Sequence, residues 1–130
     1  MKVMLKELLA HILKRPMVVE SGTSGIWTYR KWSDGTAECW GRWNGNITQY
    51  FSFSAGGMTW YGYYTTINYP FTFVGSAPVR NYTARAGAAF SWTASNSGNT
   101  TYSSNYYILA IGSQPTENFD LDIYTIRRWM

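Results

Sequence analysis

The chain has 130 residues, 45% of them hydrophobic and 14% charged, with a formal net charge of +4; that length fits one domain with a buried core and excludes wholesale disorder. The aromatic share is 18%, with 11 Tyr, 7 Trp and 6 Phe set among 12 Gly, so the chain is rich in rings that serve either a core or a wet binding surface. Its basic residues are scattered rather than run together, which argues against a nucleic-acid partner and leaves a solvated surface with at most mild attraction for an anionic cell-wall polymer.

Residues 1–16 form the first unit. Leu5, Leu8, Leu9, Ile12 and Leu13 follow the spacing of one apolar helical face, with Lys2, Lys6, Glu7 and Lys14 opposite and Pro16 as the stop. Leu5, Leu8 and Ile12 also fit a short heptad seam. The helix therefore either docks on its own domain or joins copies of the chain, and the second reading is the one adopted. Met1–Arg15 does not read as a signal peptide, because Lys6, Glu7, His11 and Lys14 interrupt it. No stretch approaches the ~20 apolar residues of a membrane span.

Residues 17–130 read as β. A turn-rich joint at Ser21–Gly25 precedes a hairpin whose arms, Ile26–Ser33 and Thr36–Trp43, flank Asp34-Gly35. A two-residue loop there pairs Lys31 with Glu38, Tyr29 with Trp40 and Trp27 with Arg42. That register sends Ile26, Arg30, Trp32, Cys39 and Trp43 inward. It sends Trp27, Tyr29, Trp40 and Arg42 outward, as a seam between copies. Asn44-Gly45-Asn46 reads as the next turn. Strands follow around Ile47–Ser54, Met58–Asn68, Phe71–Val74, Val79–Ala86, Ala88–Ala94, Tyr102–Ile111 and Phe119–Trp129. Short strands separated by turns every eight to twelve residues predict an all-β, antiparallel sandwich, jelly-roll-like, behind one short N-terminal helix.

The catalytic inventory is thin. His11 is the only histidine and Cys39 the only cysteine, so multi-His metal sites, internal disulfides and Cys-based zinc cages are excluded, and His11, placed in the helix, reads as a solvated or interface residue rather than as a triad member. Cys39 alternates into the core as an inert thiol. Asp120 and Asp122 share a strand face but read as solvated charges on an edge strand rather than calcium ligands. Neither a phosphate loop nor a nucleophile elbow occurs. No enzymatic activity, cofactor or metal is expected.

Binding has more support. "MTWYGYYTTINY" (58–69) supplies Trp60, Tyr61, Tyr63 and Tyr64; "SNYYILAIG" supplies Asn105, Tyr106 and Tyr107; Trp92 lies in "FSWTASNSGN". Rings that meet the C–H faces of sugars, beside amides that bond their hydroxyls, suit saccharide recognition. A small sandwich also needs rings for its core and subunit contacts, and most of these rings are assigned to that use.

"VVESGTSGIWTYRKWSDGTAECWG" (18–41), with a looser match at "IRRWM" (126–130), resembles a segment near the C-terminal ends of tail-fibre, baseplate and minor structural proteins of phages and prophages of Gram-positive bacteria. The resemblance implies a virion-tail domain, made in the bacterial cytoplasm and released by lysis. It implies a homotrimer that meets other tail proteins and a host cell-surface glycan or cell-wall polymer. It supplies no catalytic residues. The alternatives are a carbohydrate-binding module of a cell-wall enzyme and a purely structural tail or baseplate protein. Residues 44–118, where such proteins vary, are where receptor reading is expected.

Overall fold

The computed structural model describes residues 15–47, 50–86, 91–94, 98–111 and 117–130. The helix expected over 1–16, with Leu5, Leu8 and Ile12, lies outside the described residues except for its last two positions.

Turn chemistry sets the strand boundaries. β1 (Val18–Ser24) turns into β2 (Trp27–Trp32) through Gly25-Ile26, with the positive φ of 59° on Gly25, as a type II′ hairpin requires. β4 (Tyr50–Ala55) and β5 (Met58–Asn68) join through Gly56-Gly57, both at positive φ, which is the type I′ pattern. β3 (Thr36–Ile47), β6 (Val74–Ala86), β7 (Ser91–Ala94), β8 (Ser103–Ile111) and β9 (Glu117–Arg128) complete the described strands.

Two antiparallel sheets result, one ordered β1-β2-β3-β9-β6 and the other β4-β5-β8-β7. They share one apolar core. Trp27, Cys39, Phe119, Leu121 and Ile123 enter it from the first sheet, and Tyr63, Ile67, Tyr106 and Ile108 from the second. The Tyr63 and Phe119 rings meet across the layers at 5.1 Å, and Tyr82 meets Tyr106 at 4.9 Å. Each buried ring of this kind stabilises the fold by roughly 1.5–3 kcal/mol. The crossover from β5 to β6 closes one end with Tyr69, Phe71 and Phe73, and Trp27 Nε1–H donates to Asn68 O at 2.7 Å. Phe71–Val74, expected as a strand, is therefore mostly a core plug.

The all-β, two-layer expectation is met, but the jelly-roll winding is not. A jelly roll changes sheet at almost every step, whereas β1-β2-β3, β4-β5 and β7-β8 are sequence neighbours within one sheet. Ser21–Ser24 belongs to β1 rather than to a joint. Asn44-Gly45-Asn46 continues β3 instead of turning. These residues pair with Asp120, Phe119 and Asn118 of β9, and the Trp43 ring covers the space above Gly45. β9 is an interior strand between β3 and β6, not an edge.

The hairpin register also differs by one residue. Arg30 pairs with Glu38 and Lys31 with Ala37, so the loop takes three residues, Ser33, Asp34 and Gly35, with Gly35 at φ 91°. Gly35 N–H donates to Trp32 O at 3.0 Å, and Thr36 N–H donates to Asp34 Oδ1 at 2.9 Å. A one-residue slip turns a whole strand over. Trp27 and Tyr29, expected in an outward seam, face the core; Arg30 and Trp32, expected inward, face out. Lys31 reaches Glu20 at 2.8 Å rather than Glu38. β3 keeps its expected facing, with Ala37, Cys39 and Trp43 inside and Trp40 and Arg42 outside.

Candidate functional site

The outer face of the four-stranded sheet carries an aromatic row that the core does not use. Alternation along β5 sends Tyr61, Tyr63 and Ile67 inward and Trp60, Gly62, Tyr64 and Thr66 outward. The β5–β8 register places Tyr107 opposite Tyr64, Asn105 opposite Thr66 and Leu109 opposite Gly62. The Tyr64 and Tyr107 rings stack at 5.4 Å with an interplanar angle of 21°. Phe51, 41% exposed, approaches Tyr107 edge-on at 6.3 Å.

Phe51 lies in β4 directly across from Gly62 and spreads its ring over that glycine. A Cβ at position 62 would lie 2.2 Å from the ring. The row is flanked by hydrogen-bonding groups. Thr66 Oγ1 donates to Asn105 Oδ1 at 2.6 Å, and Trp60 Nε1–H donates to Ala55 O at 3.0 Å. Tyr107 is positioned through its backbone, because its N–H and C=O both bond the Tyr82 hydroxyl, at 3.1 and 2.8 Å.

Of the eight residues expected to bind a ligand, Trp60, Tyr64, Asn105 and Tyr107 come together on this face. Tyr61, Tyr63 and Tyr106 point into the sandwich; Tyr63 and Tyr106 are fully buried and Tyr61 packs on the core. Trp92 sits opposite Leu109 in the β7–β8 register, and its side chain lies outside the described atoms. Phe51 was missed by sequence reasoning. The signal that finds it is the Gly56-Gly57 type I′ turn, which fixes the register that puts an aromatic opposite a strand glycine.

The outer face of the five-stranded sheet has a different character. Arg30 pairs with Glu38 at 3.0 Å and lays its guanidinium 4.8 Å from the Trp40 ring and 5.8 Å from Trp32. This placement explains an arginine that an inward facing would have left in need of a carboxylate or carbonyl partner in the core. The Tyr124 hydroxyl donates to the same Glu38. Its partial burial and that bond to a carboxylate push the phenol up to about 12. Asp122 takes Arg42 at 2.8 Å and Arg85 at 3.0 Å, and the hydrogen bond from Arg42 holds its carboxyl below the usual range. Among the described residues, no three His, Cys, Asp or Glu side chains are grouped to hold a metal ion.

The two segments that resemble tail-protein ends are contiguous in space. Thr36 pairs with Arg128 and Glu38 with Ile126. Trp129 N–H donates to Gly35 O at 2.9 Å, and its Nε1–H donates to Trp32 O at 2.9 Å. Both segments thus build the five-stranded sheet, while the four strands of the other sheet come entirely from residues 50–111.

No family model and no curated protein matches the chain. Among solved structures it is similar to the P. aeruginosa R1 pyocin fibre comprising C-terminal residues 323–701, with a TM-score of 0.51 and 14% sequence identity. The match covers 85% of this chain but 28% of that one. At this identity the similarity is one of fold, and the chain corresponds to a limited part of the fibre's length.

Proposed function

We propose that the chain is a non-enzymatic head domain of a phage tail fibre or tail-like fibre, and that it recognises a saccharide on the host surface. The observation that carries this reading is the Phe51–Tyr107–Tyr64 row with Trp60, Thr66 and Asn105 beside it. Its rings occupy a solvent-side sheet face instead of the core, and they sit in the part of the chain that the tail-protein resemblance leaves variable. Rings of this kind take the C–H face of a pyranose, and the amide and hydroxyl groups bond its edge. The likeness in fold to a segment of a pyocin fibre supports the fibre context. A Gram-positive host follows from the resemblance of residues 18–41 and 126–130, not from the pyocin fibre.

The test is binding of the full chain to purified cell walls and a glycan array, with Tyr64→Ala and Tyr107→Ala as variants. Both truncations spare the backbone bonds of Tyr107, so folding is retained while binding falls about tenfold or more, in line with the loss of a well-packed aromatic contact. Incorporation into particles with no glycan binding in any format would instead favour a purely structural tail protein. A hydrolase domain encoded in the same reading frame would favour a carbohydrate-binding module of a cell-wall enzyme.

A further inference from the structure

The registers of β3, β9 and β6 arrange the outward side chains of the five-stranded sheet into a grid. Trp40, Tyr124 and Asn81 form one row; Arg42, Asp122 and Thr83 the next; Asn44, Asp120 and Arg85 the third. A shallow groove runs between β6 and β9, with Asn81, Thr83, Asp122 and Tyr124 along it and the backbone of Tyr82 and Ile123 as its floor. The β9 side chains along and beside it are held in place. Arg42 and Arg85 clamp Asp122, Asn44 donates to Asp120 at 2.5 Å, and Tyr124 is fixed through its hydroxyl on Glu38.

Fold stability does not account for this array. Asp122 and its two arginines are well exposed, and exposed ion pairs add little to folding. What the array offers is chemistry. Arg42, Arg85, Asp120 and Asp122 carry two positive and two negative charges, so the patch has no net charge to attract an ion. It presents guanidinium and amide donors, carboxylate and hydroxyl acceptors, and the ring of Tyr124, which is 38% exposed. Adjacent donors and acceptors match neighbouring hydroxyls, and the ring matches an apolar C–H face.

We propose that the groove between β6 and β9 binds a neutral polyhydroxylated ligand of the pyranose class, at a site separate from the aromatic row on the opposite sheet. Asn81 and Thr83 bond its hydroxyls from β6, Asp122 accepts from a vicinal pair, and Tyr124 carries its C–H face. With Asp122 already paired to Arg42 and Arg85 and the charges of the patch balanced, a uronate or phosphate gains no net attraction there, so the ligand is uncharged.

The test is amide and side-chain shift mapping of the full chain by NMR, titrated with glucose, galactose and N-acetylglucosamine, and with glucuronate and inorganic phosphate as charged probes. The expected result is that a neutral sugar moves the Asn81 side-chain amide, Thr83 and the Arg42 and Arg85 Nε–H signals, with little dependence on salt. Asn81→Ala and Thr83→Val each weaken that response about fivefold, the effect of losing one hydrogen bond, while Tyr64→Ala leaves it unchanged. Shifts confined to Phe51, Tyr64 and Tyr107 overturn this proposal and leave the aromatic row standing. Preference for the charged probes overturns it as well. So does a change in assembly mass with the Asn81 and Thr83 variants, which would make the face a subunit contact.

Discussion

Cys39 shows how position fixes the chemistry of a residue. Its thiol is fully buried beside Thr125, and burial is the first cause that pushes its pKa up to about 12 from an ordinary value near 9. The neutral thiol is the form the core tolerates, which suits a small apolar side chain rather than a nucleophile. Because the folded pKa lies above the unfolded one, the contribution is intact below pH 9. It is lost progressively as pH rises toward about 12, where the unfolded chain releases a proton that the native state keeps. Urea unfolding across that window should show falling stability, and Cys39→Ala should flatten the part of the slope due to this residue. A slope identical in the two proteins would assign the loss to tyrosines such as Tyr124.

At the scale of elements, two strand glycines look alike in sequence and differ in what a methyl group would meet. At Gly41 in β3 a Cβ would fall 2.1 Å from the carbonyl oxygen of Ile26, a backbone atom at the turn into β2. At Gly62 in β5 it would fall 2.2 Å from the Phe51 ring, an exposed side chain at the edge of its sheet. Backbone does not give way as a ring does. Gly41→Ala should therefore cost about 1–3 kcal/mol as overpacking. Gly62→Ala should stay within about 1 kcal/mol of the parent, because added strand propensity offsets the displaced contact. Denaturant midpoints at unchanged slope check both values, and equal losses would contradict the distinction. Gly62→Ala should also scatter the aromatic row, so its binding should fall while its stability holds.

At the scale of the molecule, what could be read from the sequence was decided by locality. Hairpins, most strand positions and the inward facing of Cys39 follow from turn signals and period-two alternation. The register across Asp34-Gly35 does not, since a two-residue and a three-residue loop both suit that dipeptide, and one residue reverses Trp27 and Trp32. Asn44-Gly45-Asn46 looks like a turn until Asn118 and Asp120, more than seventy positions later, supply its hydrogen bonds. In β5 the alternation separates Trp60 and Tyr64 from Tyr61 and Tyr63, but only the partner sheet decides which pair meets solvent.

The facing of these strands also limits how copies of the chain would associate. Of the β residues assigned to a seam, Trp27 and Tyr29 are drawn toward the core, Trp40 lies under Arg30, and Arg42 is bound to Asp122. None of the four is left as an apolar anchor of the kind that carries a subunit contact. The homotrimer that the resemblance implies is then expected to use the Leu5, Leu8 and Ile12 spacing rather than these four residues. Light scattering of the full chain at micromolar concentration should give three times 14.9 kDa. Replacing Leu5, Leu8 and Ile12 together with Ser should reduce that mass to one chain while the near-ultraviolet signal of the head persists. Trp40→Ala and Arg42→Ala should leave the mass unchanged. A full chain that is monomeric under these conditions rules the trimer out, and a loss of mass with Trp40→Ala or Arg42→Ala returns the seam to the five-stranded sheet.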